Sequence, residues 1–267
     1  NTVIANCVLK NSGVNVTSLY GGIVGEACGK TEIYNCANSD IFNSRRSGGI
    51  VSYAEMSGLT LENNMYYKEN DCCDVYYDIE KDECISEMVD KDSTVSEKDA
   101  EGLYIPAKLN EYVRANPNQV KGTTLKTWGV DYNNEPCFAN NKNPELYLIK
   151  QSGVKADTLI NGDYARGALP GDKVTICGIA DSAVVAVTDV NGNDIKLTKN
   201  EDGYEFTMPK CDVTLSAVLD TGINETTVID GKTYVVVKNA SDFVKAVKSI
   251  ADGNSELNVY IAENINL

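Results

Sequence analysis

Short apolar runs alternate with glycine, asparagine and polar corners along the first quarter of the chain. "GGIV" occurs at residues 21–24 and again at 48–51, an offset of 27. Asn6-Cys7 is matched by Asn35-Cys36, an offset of 29, and "NSGV" (11–14) by "NSDI" (38–41). A third, partial copy, "LENNMYY" (61–67), sets Asn63-Asn64 where Asn-Cys stood, 28 residues further on. A period near 28, built of short strands with Gly or Asn corners, predicts the coils of a β-solenoid. Ile4, Ile33 and Leu61 are expected to stack inside, and Cys7 to stack on Cys36, about 4.8 Å apart along the axis. Gly21-Gly22 and Gly48-Gly49 fall at corners where a Cβ would clash or φ must be positive. The competing reading is an antiparallel sheet with coincidental similarity. Because about three repeats are usually needed for stability, more coils are expected upstream.

The pattern changes after residue 67. Pro106 followed by Leu109, Tyr112 and Val113 predicts a helix that ends before Asn116-Pro117. Residues 68–144 are read as an acidic connecting region and cap over the open edges of the last coil. Residues 145–221 hold short β runs ("ELYLIKQSG", "DKVTICGI", "SAVVAVTDV", "GYEFTMP", "DVTLSAVL") at a spacing of 8–12 residues, which predicts a small β-sandwich. Residues 222–267 read as a hairpin about Asp230-Gly231, then a helix and a strand. In that helix Asn239 or Ser241 is the cap, Phe243, Val247, Ile250 and Ala251 line one face, and Gly253 is the stop. The fold class expected is mainly β.

Three stretches carry a resemblance. The "NC" and "GGIVG" pattern over about 1–67 resembles the GLUG-type repeats of large secreted bacterial proteins, which include adhesins and non-catalytic regions of immunoglobulin A peptidases. The second copy ends in Ser52 where the pattern has Gly. "PGDKVTI" through "GYEFTMPKCDVTLSAVL" resembles a bacterial Ig-like repeat. The final strand-helix-strand resembles the N-terminal lid of a pectate-lyase-like parallel β-helix. These likenesses imply a solenoid end with its cap, an Ig-like spacer and the start of a second β-helix, in a protein at the bacterial cell surface or outside the cell.

Composition narrows the partners. Lys plus Arg is 24 against 39 for Asp plus Glu, so the net charge is −15, and 13 of the acids lie in residues 69–101. Such a chain repels phosphate backbones, so nucleic acid is not an expected partner. No run of about 18 apolar residues suits a membrane span, so membrane insertion is not expected either. Both ends read as cut strands, so the chain is expected to be a piece of a longer protein whose other domains are its neighbours. Nine cysteines are spread along the chain and histidine is absent. That removes the commonest general base and a common metal ligand. The thiols are read as core residues or as at least one disulfide, Cys72 or Cys73 with Cys84 among the pairings.

Candidate chemistry is sparse. Asp189, Asn191 and Asn193 stand at the 1, 3, 5 spacing of a calcium loop, but Asp194 occupies the glycine position and Asn200 the glutamate position. The Asn-Gly inside it signals a hairpin turn, with calcium as the alternative. No other cofactor is indicated. Tyr66, Tyr67, Tyr76, Tyr77 and Trp128 are the candidates for stacking on sugar rings, against a plain packing role. No catalytic motif appears, so the chain is not expected to be an enzyme. The expected function is a non-catalytic segment, an adhesin, stalk or spacer, with a glycan or protein as partner. The rival readings are an ancillary region of a secreted glycan-degrading enzyme or immunoglobulin peptidase, and a glycan-binding module.

Overall fold

A computed structural model describes residues 1–10, 20–27, 29–39, 47–54, 58–67, 76–78, 83–85, 94–95, 103–118, 120–153, 156–179, 183–219, 221–223, 225–251, 257–263 and 265. The chain is mainly β, and its first part is a β-solenoid. Two compact units divide it: Asn1–Leu148 with Gly162–Asp172, and Ile149–Asn161 with Lys173–Leu267.

In the first unit the repeat becomes parallel, in-register coils. Strands Thr2–Ala5, Thr31–Tyr34 and Leu59–Glu62 form one sheet, with Ile4 beside Ile33 and Ile33 beside Leu61. Val8–Leu9, Ala37–Asn38, Met65–Tyr67 and Thr94–Val95 form a second face, again parallel. Tyr20–Gly21 pairs with Ser47–Gly48, and Val24–Ala27 with Val51–Ala54, so the "GGIV" copies lie side by side. The competing antiparallel arrangement is thereby excluded for these strands. Ile33, Cys36, Ile50, Val51, Leu59 and Tyr66 fill the interior, with Ile4, Ile23, Val24 and Leu61 against them.

Each coil turns at an asparagine. Asn6, Asn35 and Asn63 have φ of 53°, 53° and 50°, the left-handed region that Asn tolerates better than other residues with a Cβ. The glycine pair serves a different purpose, because no positive φ occurs at Gly21, Gly22 or Gly49. A Cβ on Gly49 would lie inside the Tyr66 ring, and one on Gly22 would run into the Gly49 carbonyl. Close approach between neighbouring coils, not backbone handedness, demands these glycines.

The expected helix is present as α1, Tyr104–Ala115. It packs against strand residues of the coils. In the region 68–144, Thr94–Val95 stacks on Met65–Tyr67, and the segment from Leu103 onward lies along the flank of the coils. Ala37 and Met65 point out of the solenoid and are buried under Tyr104, Ile105, Ala107, Leu109 and Trp128, with Val8 at the margin. Tyr34 and Ala5 are covered by Val120, Leu125, Tyr112 and Val113. The physical reason is that the outward strand faces are themselves apolar, so the segment hides more surface along the side. Polar groups follow suit. Asn6 Nδ2 donates to the Lys126 carbonyl (2.9 Å), and the Asn6 side-chain oxygen accepts from Lys126 N (3.3 Å). Tyr112 donates to Glu62 (2.8 Å), and Lys10 pairs with Asp131.

Among the described residues the second unit contains three sheets. Ile149–Gly153 runs parallel to Val213–Ala217, and Val213–Leu219 runs antiparallel to Ala183–Asp189. Asp157–Ile160, Lys173–Cys177, Gly203–Thr207 and Thr198–Asn200 form an antiparallel sheet. Burial alternates along the strands, with Val174, Ile176 and Phe206 inside one sheet and Val187, Val213, Leu215 and Ala217 inside the other. The hairpin about Asp230-Gly231 forms, with φ of 49° and 77° at its tip and Ile229 opposite Lys232. Helix α2, Ala240–Ala251, follows, and Val259–Ile261 returns parallel to Lys232–Val237. Asn239 is its cap: its side-chain oxygen accepts from Asp242 N (2.9 Å). The buried positions of α2 are Ala246 and Ser249, while Val247, Ile250 and Ala251 are exposed. Three of the four residues of the expected apolar face are therefore turned out, with Phe243 half-buried, and small side chains carry the buried contact.

Candidate functional site

Two of the five aromatic candidates are closed to solvent. Tyr66 and Trp128 are both 0% exposed. A ring that stacks on sugar must show a face to solvent, so neither residue can bind in that way. Tyr66 packs inside the solenoid against the Gly49 corner. Trp128 sits under the flanking segment, where its backbone N–H donates to Asn110 (2.6 Å) and Asn110 Nδ2 donates to the carbonyls of Trp128 (2.7 Å) and Leu146 (3.0 Å). With the Asn35 amide turned so that both ends are satisfied, its oxygen accepts from Trp128 Nε1 (3.1 Å) and its nitrogen donates to the Leu109 carbonyl (3.1 Å). Trp128 thus belongs to the attachment of the flank to a solenoid corner. Tyr67, Tyr76 and Tyr77 lie on strands Met65–Tyr67 and Tyr76–Asp78, and their side chains fall outside the described residues, as do Cys72 and Cys73.

Asp189, Asn191 and Asn193 do come together, as a turn. Asp189 Oδ1 accepts from Asn191 N (2.8 Å) and Asn193 N (2.9 Å), and Oδ2 accepts from Asn193 Nδ2 (2.8 Å). Gly192 supplies the positive φ, 81°, and the hairpin continues as Ile195 N donates to the Val187 carbonyl (2.7 Å). The carboxylate faces N–H donors, which hold it below its ordinary range, with the Asn193 side chain the largest cause. A calcium ligand would have to release those bonds. The same device occurs at residues 131–135, which the sequence reading passed over. Asp131 Oδ1 accepts from Asn133 N (2.9 Å) and Glu135 N (3.2 Å), and Asn134 takes the φ of 61°. The shared signal, Asp-x-Asn-(Asn or Gly), is visible in the chain and marks a side-chain-stapled hairpin. Among the described residues, no group of three His, Cys, Asp or Glu could hold a metal ion.

Two features stand out chemically. The first is a polar cluster on the second coil, at the flank. Glu32 pairs with Lys30 (2.7 Å) and Lys121 (3.4 Å) and accepts from the Tyr34 hydroxyl (2.9 Å). The Lys30 and Tyr34 hydrogen bonds hold its carboxyl down at about 2. Burial, then Glu32 itself, pushes Tyr34 up to about 12. The second is the stacked pair Cys7 and Cys36. Cys7 is exposed and Cys36 fully buried, and Cys7 N donates to Cys36 Sγ (3.3 Å). The hydrogen bond from the Cys36 thiol brings Cys7 down to about 6, against a smaller opposing effect of burial. The same bond, then burial, raises Cys36. The sequence placed the two on one ladder, and the strands on either side of them pair in register.

Clefts are slight. One of about 50 Å³ is lined by Ile176, Cys177, Gly178, Lys199, Asp202 and Tyr204. That is room for a water or two, against roughly 300–1,000 Å³ for small-molecule pockets. Comparison of the chain with protein-family models, with curated proteins and with solved structures finds no match.

Proposed function

We propose that this chain is a non-catalytic segment of a large bacterial surface or secreted protein, and that it serves as a stalk or spacer that holds other parts at a distance. One observation carries the reading: a parallel, in-register solenoid with apolar residues buried on both sides of its wall, inside and under the flanking segment. Pulling such a stack apart breaks rungs of backbone hydrogen bonds and exposes two cores together, which suits a load-bearing part. The Ig-like spacer and the β-helix lid belong to the same proposal. Two sheets with alternating burial support the first, and the hairpin, α2 and its parallel return strand support the second. A glycan-binding role is disfavoured by the burial of Tyr66 and Trp128.

The test is single-molecule extension of the chain held by its two ends, run beside a screen for polysaccharide cleavage. A stalk resists extension and then yields in discrete steps, with no glycan turnover. Smooth lengthening at low force, or turnover of any glycan, would overturn the proposal.

A further inference from the structure

Helix α1 begins without a side-chain cap. Its N-cap residue is Leu103, and its first turn carries no acidic residue. A helix end of this kind frays unless packing holds it. Yet Tyr104, Ile105 and Ala107 are buried. A later segment covers that turn. Gly162–Asp172 belongs to the first unit, although the strand Asp157–Ile160 before it and Lys173–Cys177 after it belong to the second. Arg166 lies over the Tyr104 ring, 4.2 Å from its centre. Gly167 and Ala168 pair with Leu148 and Tyr147. A Cβ on Gly167 would run into the Leu103 carbonyl and come within 2.7 Å of the Ala107 Cβ, so the fit to α1 needs glycine. Ala165 and Ala168 are buried, and Leu169 packs against the cluster of Trp128 and Leu109. The segment ends in a stapled turn, in which Leu169 N donates to Asp172 Oδ2 (2.8 Å) and Asp172 N to the Leu169 carbonyl (3.1 Å).

We infer that Arg166–Leu169 is a strap over the first turn of α1, and that its undocking is a separate step that frees α1 and Trp128 while the coils stay paired. The order follows from how each part is held. The strap has two residue pairs, one ring contact and the close fit of a glycine, with exposed residues Gly162–Tyr164 before it and Pro170 and Gly171 after it. Each rung of the coils between Thr2–Ala5, Thr31–Tyr34 and Leu59–Glu62 has four residue pairs around a buried interior. Short, exposed pairings open at lower free energy than core strands do. Once the strap leaves, the uncapped turn has lost its cover. Asn110 of the same helix carries the change onward, because its side chain bonds Trp128 N and the carbonyls of Trp128 and Leu146. The released flank bares Ala37 and Met65, apolar residues of the coil wall. The step lies wholly within the first unit and is independent of what the chain holds or binds.

Hydrogen exchange of the whole chain in rising, sub-denaturing urea, read by mass spectrometry, tests this directly. In the wild-type chain the amides of α1 and of Arg166–Leu169 are expected to share one opening, at lower urea than the opening of Thr31–Tyr34 and Leu59–Glu62. Gly167→Val drives a side chain into α1. It is expected to speed exchange across α1 by roughly tenfold or more, to red-shift the Trp128 emission, and to leave Thr31–Tyr34 and Leu59–Glu62 at wild-type rates. Arg166→Ala removes the ring contact but keeps the glycine fit, and gives the same pattern at smaller size. Where Gly167→Val does not fold, the wild-type openings and Arg166→Ala decide. The inference is overturned if α1 opens together with the coil strands, if Arg166–Leu169 opens while α1 keeps its protection, or if neither folded variant changes α1 exchange.

Discussion

At Gly49 a single methyl group decides between a closed and a broken corner. Its Cβ would occupy the buried Tyr66 ring, and Tyr66 has no room to retreat within the coil interior. Gly49→Ala is therefore expected to destabilise the first unit by about 1–3 kcal/mol, the usual cost of overpacking, read as a lower midpoint in urea. At Asp189 the side chain works as a staple. Asp189→Ala removes three accepted hydrogen bonds from an exposed turn, with an expected net cost of about 1 kcal/mol. The turn reading also predicts that millimolar calcium leaves the melting temperature of the wild-type chain unchanged. A calcium-dependent rise that Asp189→Ala abolishes would return the loop to the metal alternative. Both positions were singled out from sequence, the glycine correctly as a corner. The reason for that glycine, contact with the next coil, was not readable, because the contacting residue lies 17 positions away on another strand.

The element that matters most is the flanking segment of α1 and the strand Trp128–Val130. Trp128 is the one tryptophan of the chain, so its fluorescence reports this element alone. Trp128→Ala is expected to cost about 3–5 kcal/mol, as for other buried large aromatics. Trp128→Phe keeps most of the apolar contact, loses the Nε1 bond to Asn35, and is expected to cost less. Acid supplies a second handle. Glu32 is held at about 2 when folded, below its ordinary value of 4.5. Its contribution is present above that ordinary value and is lost as the pH falls from about 4.5 toward 2. Because Lys121 of the flank is one of its partners, acidification is expected to loosen the flank and red-shift the Trp128 emission. Glu32→Gln should flatten that part of the pH profile. α1 was legible from Pro106 and its apolar spacing, but its place beside the coils was not. Periodicity reports which face of a helix is buried and is silent about what buries it.

At the scale of the whole chain, charge is the dominant fact. A net charge of −15 on 267 residues sets like charges against one another in the compact state. Raising sodium chloride from about 10 mM to 150 mM shortens the Debye length from roughly 30 to 8 Å, so the melting temperature is expected to rise with salt. A fall across that range would show that attractive pairs such as Lys10 with Asp131 and Arg114 with Glu145 outweigh the repulsion.

The sequence by itself determined the repeat and its period, because a structure that stacks similar rungs must write each rung in similar residues, and the strand pairing then decided for parallel coils over an antiparallel sheet. It also determined the turns, since Asp230-Gly231 and the Asp-x-Asn hairpins obey local steric rules that need no distant partner. Only the tertiary structure decided what the apolar residues on the outer wall of the coils were for, and which aromatic rings were open. Burial is a property of surfaces meeting, and Trp128 meets Asn35 across 93 residues of chain.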